Sequence, residues 1–341
     1  MSRLIPSKYL IWRLTSYFVV LFTAIVITFI VPRLLPGDPI SIILSRYSQS
    51  GMNIAGSKEL IEEYKRMFGL DRDLFTQFIS YVRELLRGNL GYSIAAFPIT
   101  VNELIMRALP WTIGLLTMTA IISWAIGTVL GAIAGWRSGK MKSSKLSDAI
   151  NMMIICLYAI PYWLMAIMLI YLLAYVWPIF PASGGYTPGI SFSFNLEFIK
   201  DVLWHATLPA LSVVSTSLGW WFLSMKSMIS GLQREDFIIL AEAKGLSKTT
   251  ILWKYAFRNA LIPQVTGLAF TIGNSIGGQI LMETIFAYPG LGWLLGFGVY
   301  NLDYPIIQGV VLLIIFSTLT ATLILDFIYA IVDPRVRYGT E

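Results

Sequence analysis

Charge falls in blocks along this chain, and between the blocks lie six uncharged stretches: Leu14–Val31, Trp111–Ala134, Ala149–Trp177, Ala206–Met225, Ala260–Met282 and Pro305–Leu325. A helix of about 18 residues, at about 1.5 Å per residue, crosses a hydrocarbon core of roughly 30 Å. Inside a bilayer a helix also satisfies its own backbone polar groups. The pattern predicts an all-α integral membrane protein with six transmembrane helices. Arg3, Lys8 and Arg13 precede the first stretch in the manner of a signal peptide. Its apolar run exceeds a typical h-region, however, and the following "PRLLPGDP" offers no small-residue cleavage site, so it is read as an uncleaved span.

The polar blocks divide the chain into residues 1–31 (N-terminal segment and first span), 32–110 (a large external segment) and 111–341 (spans two to six). In the external segment Leu60, Ile61, Tyr64, Met67 and Phe68 recur at helical spacing. Gly69 follows, and then a second amphipathic stretch through Phe75, Phe78, Ile79, Val82 and Leu86. Two helices that cover the bundle on the outer membrane surface, or dock an external partner, satisfy that pattern. The segment from Pro178 to His205 is rich in turn formers. "ETIFAYPGLGWLLGFGVYNLDYP" is apolar yet broken by Pro289, Gly290, Gly292, Gly296 and Gly298. Irregular backbone at membrane depth survives where it is buried in protein or lines a wet cavity. A short re-entrant or outer-face helix, with Tyr288, Pro289, Gly290 and Gly292 at an outer gate, is one reading; a tight loop bearing belt aromatics is the other.

Composition agrees with a membrane chain: 56% of 341 residues are hydrophobic and 13% charged, with a mean hydropathy of +0.70. The net charge of +6 is explained by topology. Arg137, Lys140, Lys142 and Lys145 follow the second span, and Lys226, Arg234, Lys244, Lys248, Lys254 and Arg258 follow the fourth. Only Lys200 follows the third, and Glu283 to Tyr304 contains no basic residue. The positive-inside rule places both termini and the loops after spans two and four in the cytoplasm. A basic face for nucleic acid is not implied.

Catalytic chemistry is missing. No GxxxxGK followed by Ser or Thr and no HExxH occurs, His205 is the one histidine, and Cys156 is alone within the third span. Neither a nucleotide site of that kind nor a Cys- or His-based metal site follows, and His205 reads as a polar anchor at an interface. The six uncharged stretches hold no ionisable group of the sort that binds a driving proton or sodium ion. A secondary transporter or channel acting alone is therefore the weaker alternative, and an intramembrane enzyme weaker still.

Between spans four and five, residues 226–259 keep a charged, helix-forming loop containing "AEAKGLSKTTILWKYAFRNALIP" from residue 241. Glu235 and Asp236 open a helix and Lys244 closes it, in the sense the macrodipole favours. Gly245 stands where a left-handed cap is expected, and Ser247 where a second helix from Lys248 needs its N-cap. Phe237, Ile238, Leu240 and Ala241, with Ile251, Leu252, Tyr255 and Ala256, would form a compact apolar knob fit for a groove on another protein.

With Glu242, Ala243 and Gly245 at its core and "RNALIP" at Arg258–Pro263, the loop resembles the EAA loop of permease subunits in binding-protein-dependent ABC importers. "LLPGDP" (34–39), "FGLDRDLFTQF" (68–78), "GNLGYS" (88–93), "HATLPAL" (205–211), "YPGLG" (288–292), "DYPIIQG" (303–309) and "DPRVRY" (333–338) extend the likeness to the dipeptide and oligopeptide branch. The resemblance implies a type I importer permease in a prokaryotic inner membrane. It would pair with a second permease, two cytosolic ATPases that bind the ATP and Mg, and an external solute-binding protein. This chain itself would bind no cofactor and no metal. Glu235, Asp236, Glu242, Ala243, Gly245, Ser247 and Arg258 would couple it to an ATPase. Where many peptide-type members carry arginines at the inner end of the fourth span, this chain has "GWWFLSMKSM". Trp220 and Trp221, with Trp163, are the pathway residues expected here, and aromatic rings suit sugars, so the cargo reads as a short peptide or an oligosaccharide.

Overall fold

The computed structural model describes residues 7–40, 57–140, 145–190, 195–273 and 279–332. Arg3, Lys142 and the "DPRVRY" tag lie outside those residues. The described chain is helical, with an isolated bridge between Tyr92 and Thr100. It divides into two compact units. One holds residues 1–112, 276–280 and 289–341, the other residues 113–275 and 281–288. Residues 57–112 thus group with the Ser7–Arg33 and Tyr304–Val332 helices.

In the first unit the Ser7–Arg33 helix runs antiparallel to the Tyr304–Val332 helix. Arg13 pairs with Asp326 at 3.1 Å and Tyr17 meets Thr320 at 3.0 Å, while at the opposite end Arg33 lies over the Tyr304 ring. The two amphipathic helices are Ser57–Met67 and Leu74–Leu86. Asp73 caps the second by accepting from the Thr76 N–H at 2.9 Å, and Gly69 stands left-handed between them at φ 66°. Phe78 and Tyr81 pack on Phe29 of the first span. The core joins Val101, Ile105 and Ala108 to Leu291, Leu294, Ile306 and Val310. Asp303 binds the loop beneath: it accepts from the Ser93 hydroxyl (2.6 Å), the Ala95 N–H (2.8 Å) and the Ile306 N–H (3.1 Å). The last of these caps the final helix.

The second unit is built around the Leu196–Leu232 helix. It starts ahead of the span read from sequence because Asn195 accepts from the Phe198 N–H and caps it. Gly127, Gly131 and Gly135 give it a close neighbour. A Cβ added at Gly127 would lie 2.6 Å from that of Trp221, and at Gly135 3.0 Å from that of Ile229. Sequence reasoning passed over these glycines, although small residues repeating every four positions in an apolar run are the signal for such contact. His205 is buried, its Nδ1 2.9 Å from the Asp201 carbonyl oxygen, so it is an internal polar contact and not an outward anchor.

Among the described residues four helices are long and apolar enough to cross a membrane: Tyr9–Arg33, Val101–Ser138, Leu196–Leu232 and Tyr304–Ile324. The third expected span is broken. Asp148–Ala159 and Tyr162–Val176 meet at a bend of 100°, and counting that pair as one span gives five. Pro161 lies in the break: it donates no hydrogen bond and disfavours helical backbone at Ile160. The Ala260–Met282 stretch appears as helices Phe257–Gly273 and Ile280–Ile285, with residues 274–278 outside the description. Pro110, read as a boundary, instead lies within the Val101–Lys140 helix.

Candidate functional site: the loop between spans four and five

The Leu196–Leu232 helix ends at Gln233, which is buried and donates its amide to the carbonyl oxygens of Gly135 (3.0 Å) and Trp136 (2.9 Å). Glu235, in extended backbone, then leads into a short helix, Asp236–Ala243. That helix closes in a Schellman turn: the Gly245 N–H reaches the Glu242 carbonyl (2.9 Å) and the Leu246 N–H reaches that of Ala241 (3.3 Å). Gly245 takes φ 74°, with open space where a Cβ would stand. Ser247 accepts from the Thr250 N–H at 3.2 Å and caps the next helix.

That next helix does not stop. Lys248–Thr250 passes through a π-helical turn, Ile251–Ala256, directly into Phe257–Gly273. The second arm of the loop is therefore the N-terminal extension of the fifth apolar stretch. One tight turn at Gly245 joins the Asp236–Ala243 helix to this continuous rod.

The loop is also anchored. Ile238, Ala241, Ile251, Leu252, Ala256 and Ala260 form one buried cluster with Ala132, Trp136, Met225 and Ile229. This corrects the expected knob: five of its apolar members are consumed by packing within this chain, because helical spacing turns Ile238 and Ala241 to the same inner face. What remains outside is a smaller surface of Phe237, Ile239 and Leu240, with Tyr255 and Trp253 also exposed. Asp236, Glu242, Ala243, Gly245, Ser247 and Glu235 share that exposure, and Arg258 is exposed on the rod.

The tryptophans separate. Trp163 and Trp220 are exposed, whereas Trp221 is buried, its Cβ against Gly127 and its ring against Gly267. At the expected gate, helix Ile280–Ile285 ends in a turn with Ala287 at φ 45°, the Tyr288 N–H bonding the Glu283 carbonyl at 2.8 Å. Tyr288 is buried; burial first, and the Glu283 charge second, push its phenol well above the ordinary range. Gly290 and Gly292 are also buried. Gly290 precedes helix Leu291–Tyr300, whose Leu291 N–H donates to the Thr112 hydroxyl at 2.8 Å.

Residues 127–338, more than half the chain, match the family described as binding-protein-dependent transport system inner membrane component. A Brucella suis biovar 1 protein named as a peptide permease is 32% identical over 97% of this chain and 99% of its own. The oligopeptide transport system permease protein AppB of Bacillus subtilis is 30% identical over 97% of this chain and 100% of its own. The glutathione transport system permease protein GsiC of Escherichia coli O6:H1 is 30% identical over 97% and 99%.

Proposed function

The chain belongs to the family of binding-protein-dependent transport system inner membrane components, and on that premise we propose how it works. It is a multi-pass permease subunit of an ABC importer. Relatives that share its full length carry the names of peptide, oligopeptide and glutathione permeases, which supports short peptides as the cargo. With a second permease of the same kind it forms the path, and an external solute-binding protein delivers the solute. ATP and Mg bind to two separate cytosolic ATPase subunits, so this chain carries no catalytic group.

The observation that carries the coupling role is the continuous Lys248–Gly273 rod joined through left-handed Gly245 to a short helix with an exposed apolar face. In this reading Phe237, Ile239 and Leu240 seat in a cleft of the ATPase. Glu235, Asp236, Glu242 and Arg258 border that seat. Closure of the ATPases then displaces the short helix, and the rod transmits the movement into the membrane. The fold is that of a six-span type I importer permease with cytoplasmic termini, the bent pair serving as one span and residues 257–285 as another. Trp163 and Trp220 face the path or the second permease, while Tyr288 to Gly292 hold its outer end.

The test is purification of the tagged chain from native membranes, with mass spectrometry of what comes with it and reconstitution in liposomes. Two ATPases and a second permease, with uptake that needs ATP and the binding protein, are the expected result. Screening that binding protein against peptides and oligosaccharides settles the cargo. Recovery of the chain alone, with ion-driven uptake, would overturn the reading.

A further inference from the structure

Beside the first span, within the first unit, lies a cavity of about 300 Å³ lined by Arg33, Arg72, Tyr81, Tyr304 and Gln308, among others. Arg33 is the last residue of its apolar helix. Its guanidinium is held by neutral groups only: Nε and Nη2 donate to the Gln77 Oε1 (3.2 and 3.0 Å) and Nη1 to the Phe29 carbonyl (2.8 Å). The Phe29 ring lies 3.6 Å away. Among the described residues Arg33 makes no ion pair. Carboxylates nearby are engaged elsewhere: Asp38 with Lys65 at 2.9 Å, and Glu84, which also lines the cavity, with Asn89 at 2.8 Å and Arg87 at 3.2 Å. Arg66 at the rim faces Glu62 at 3.9 Å.

Two further polar atoms in the cavity wall are buried: the Gln308 Nε2, which has no hydrogen-bond partner among the described residues, and the Tyr81 hydroxyl, which has the Thr28 side chain beside it. Gln308 is only 5% exposed. Buried polar groups are normally satisfied, and buried charges normally paired. Here a half-buried cation, an unpartnered amide donor and a buried phenol able to donate line one small cavity, which is the equipment for accepting an oxyanion.

We infer that this cavity binds a phosphate oxyanion, supplied by the headgroup of an anionic phospholipid at the membrane face where the first span ends. The depth favours a lipid, because the apolar helix stops at Arg33 and phosphates of the adjacent leaflet lie at that level. Free phosphate from the aqueous side has the same chemistry and is the other source.

The test uses the full chain with the subunits that co-purify, stripped of lipid in neutral detergent. It is titrated with phosphatidylglycerol, with uncharged diacylglycerol, and with inorganic phosphate. Thermal unfolding and native mass spectrometry are the readouts. Phosphatidylglycerol should stabilise the wild type, and Arg33→Gln should move the titration midpoint up by about tenfold. Tyr81→Phe keeps the ring stacked on Phe29 and removes only the buried hydroxyl. It should weaken binding about threefold while leaving the chain folded in the absence of lipid. This variant decides the matter should Arg33→Gln fail to fold. Stabilisation by inorganic phosphate that Arg33→Gln or Tyr81→Phe weakens would support the oxyanion site and assign it to a free anion. Equal stabilisation by diacylglycerol, or unchanged midpoints in the folded variants, would overturn the inference.

Discussion

Gln233 donates its side-chain amide to the carbonyl oxygen of Trp136 across 2.9 Å, linking residues 97 positions apart. The Trp136 ring lies in the same buried cluster as Ile238 and Ile251. The loop and the C-terminal end of the Val101–Lys140 helix are thereby held as one body. Gln233→Ala should cost about 1–3 kcal/mol, the usual penalty for stranding buried partners. Thermal unfolding in detergent measures the loss, and ATP-driven uptake should fall more than assembly with the ATPases. Unchanged melting and uptake would remove Gln233 as an anchor.

Gly245 holds φ 74° with nothing near a potential side chain, so any cost of substitution is backbone strain alone. Gly245→Asn should be tolerated best and Gly245→Ala should lose about 1 kcal/mol. Gly245→Pro should be worst, because it also loses the N–H that bonds Glu242. Substrate-stimulated ATPase activity should decline in that order; normal uptake in the proline variant would sink the role assigned to the turn.

Leu240 is 56% exposed and Ile238 fully buried, two residues apart on one short helix. A charge at each separates docking from folding. Leu240→Glu should leave the chain folded and membrane-inserted while preventing co-purification of the ATPases. Ile238→Glu should lower the chain's own stability by several kcal/mol, about what burying an unpaired charge costs. Equal retention of ATPases by wild type and Leu240→Glu would show that docking uses another surface.

Ala287 closes its helix at φ 45°, where other turns in this chain use glycine at 69, 88 and 245. Ala287→Gly should relieve about 1 kcal/mol of strain, less the entropy that glycine adds to the unfolded chain, and raise the melting temperature.

Burial raises the Asp303 carboxyl above its ordinary value of 3.8, against the pull of Ala95, Ser93 and Ile306. The folded chain thus holds that proton to higher pH than the unfolded one. Its contribution to stability is complete below about pH 4 and is lost as pH rises through the folded value. Melting temperature measured upward from pH 4 should carry this downward component, and Asp303→Asn should remove it.

Local chemistry was legible in the sequence because it acts over a few residues. Ser247 as a cap, Gly245 as a left-handed turn and the helices on either side of Gly69 depend on neighbours within one helical turn, and they stand where the pattern put them. Uncharged length and the placement of lysine and arginine likewise gave a membrane chain and the loop to watch. Pro161 was visible too, but its effect was missed: a hydropathy window averages across a break, whereas the backbone bends there by 100°. The sequence alone could not say which apolar residues of the loop are spent on this chain. That depends on Trp136, Met225 and Ile229, brought beside it by distant helices. Nor could it place Asp303 on Ser93, or leave Arg33 facing a cavity with neutral partners. Capping and hydrophobic length are properties of the chain's near neighbours. Burial, pairing and orphaned polar groups are properties of what packing brings close, and only the tertiary structure decides them.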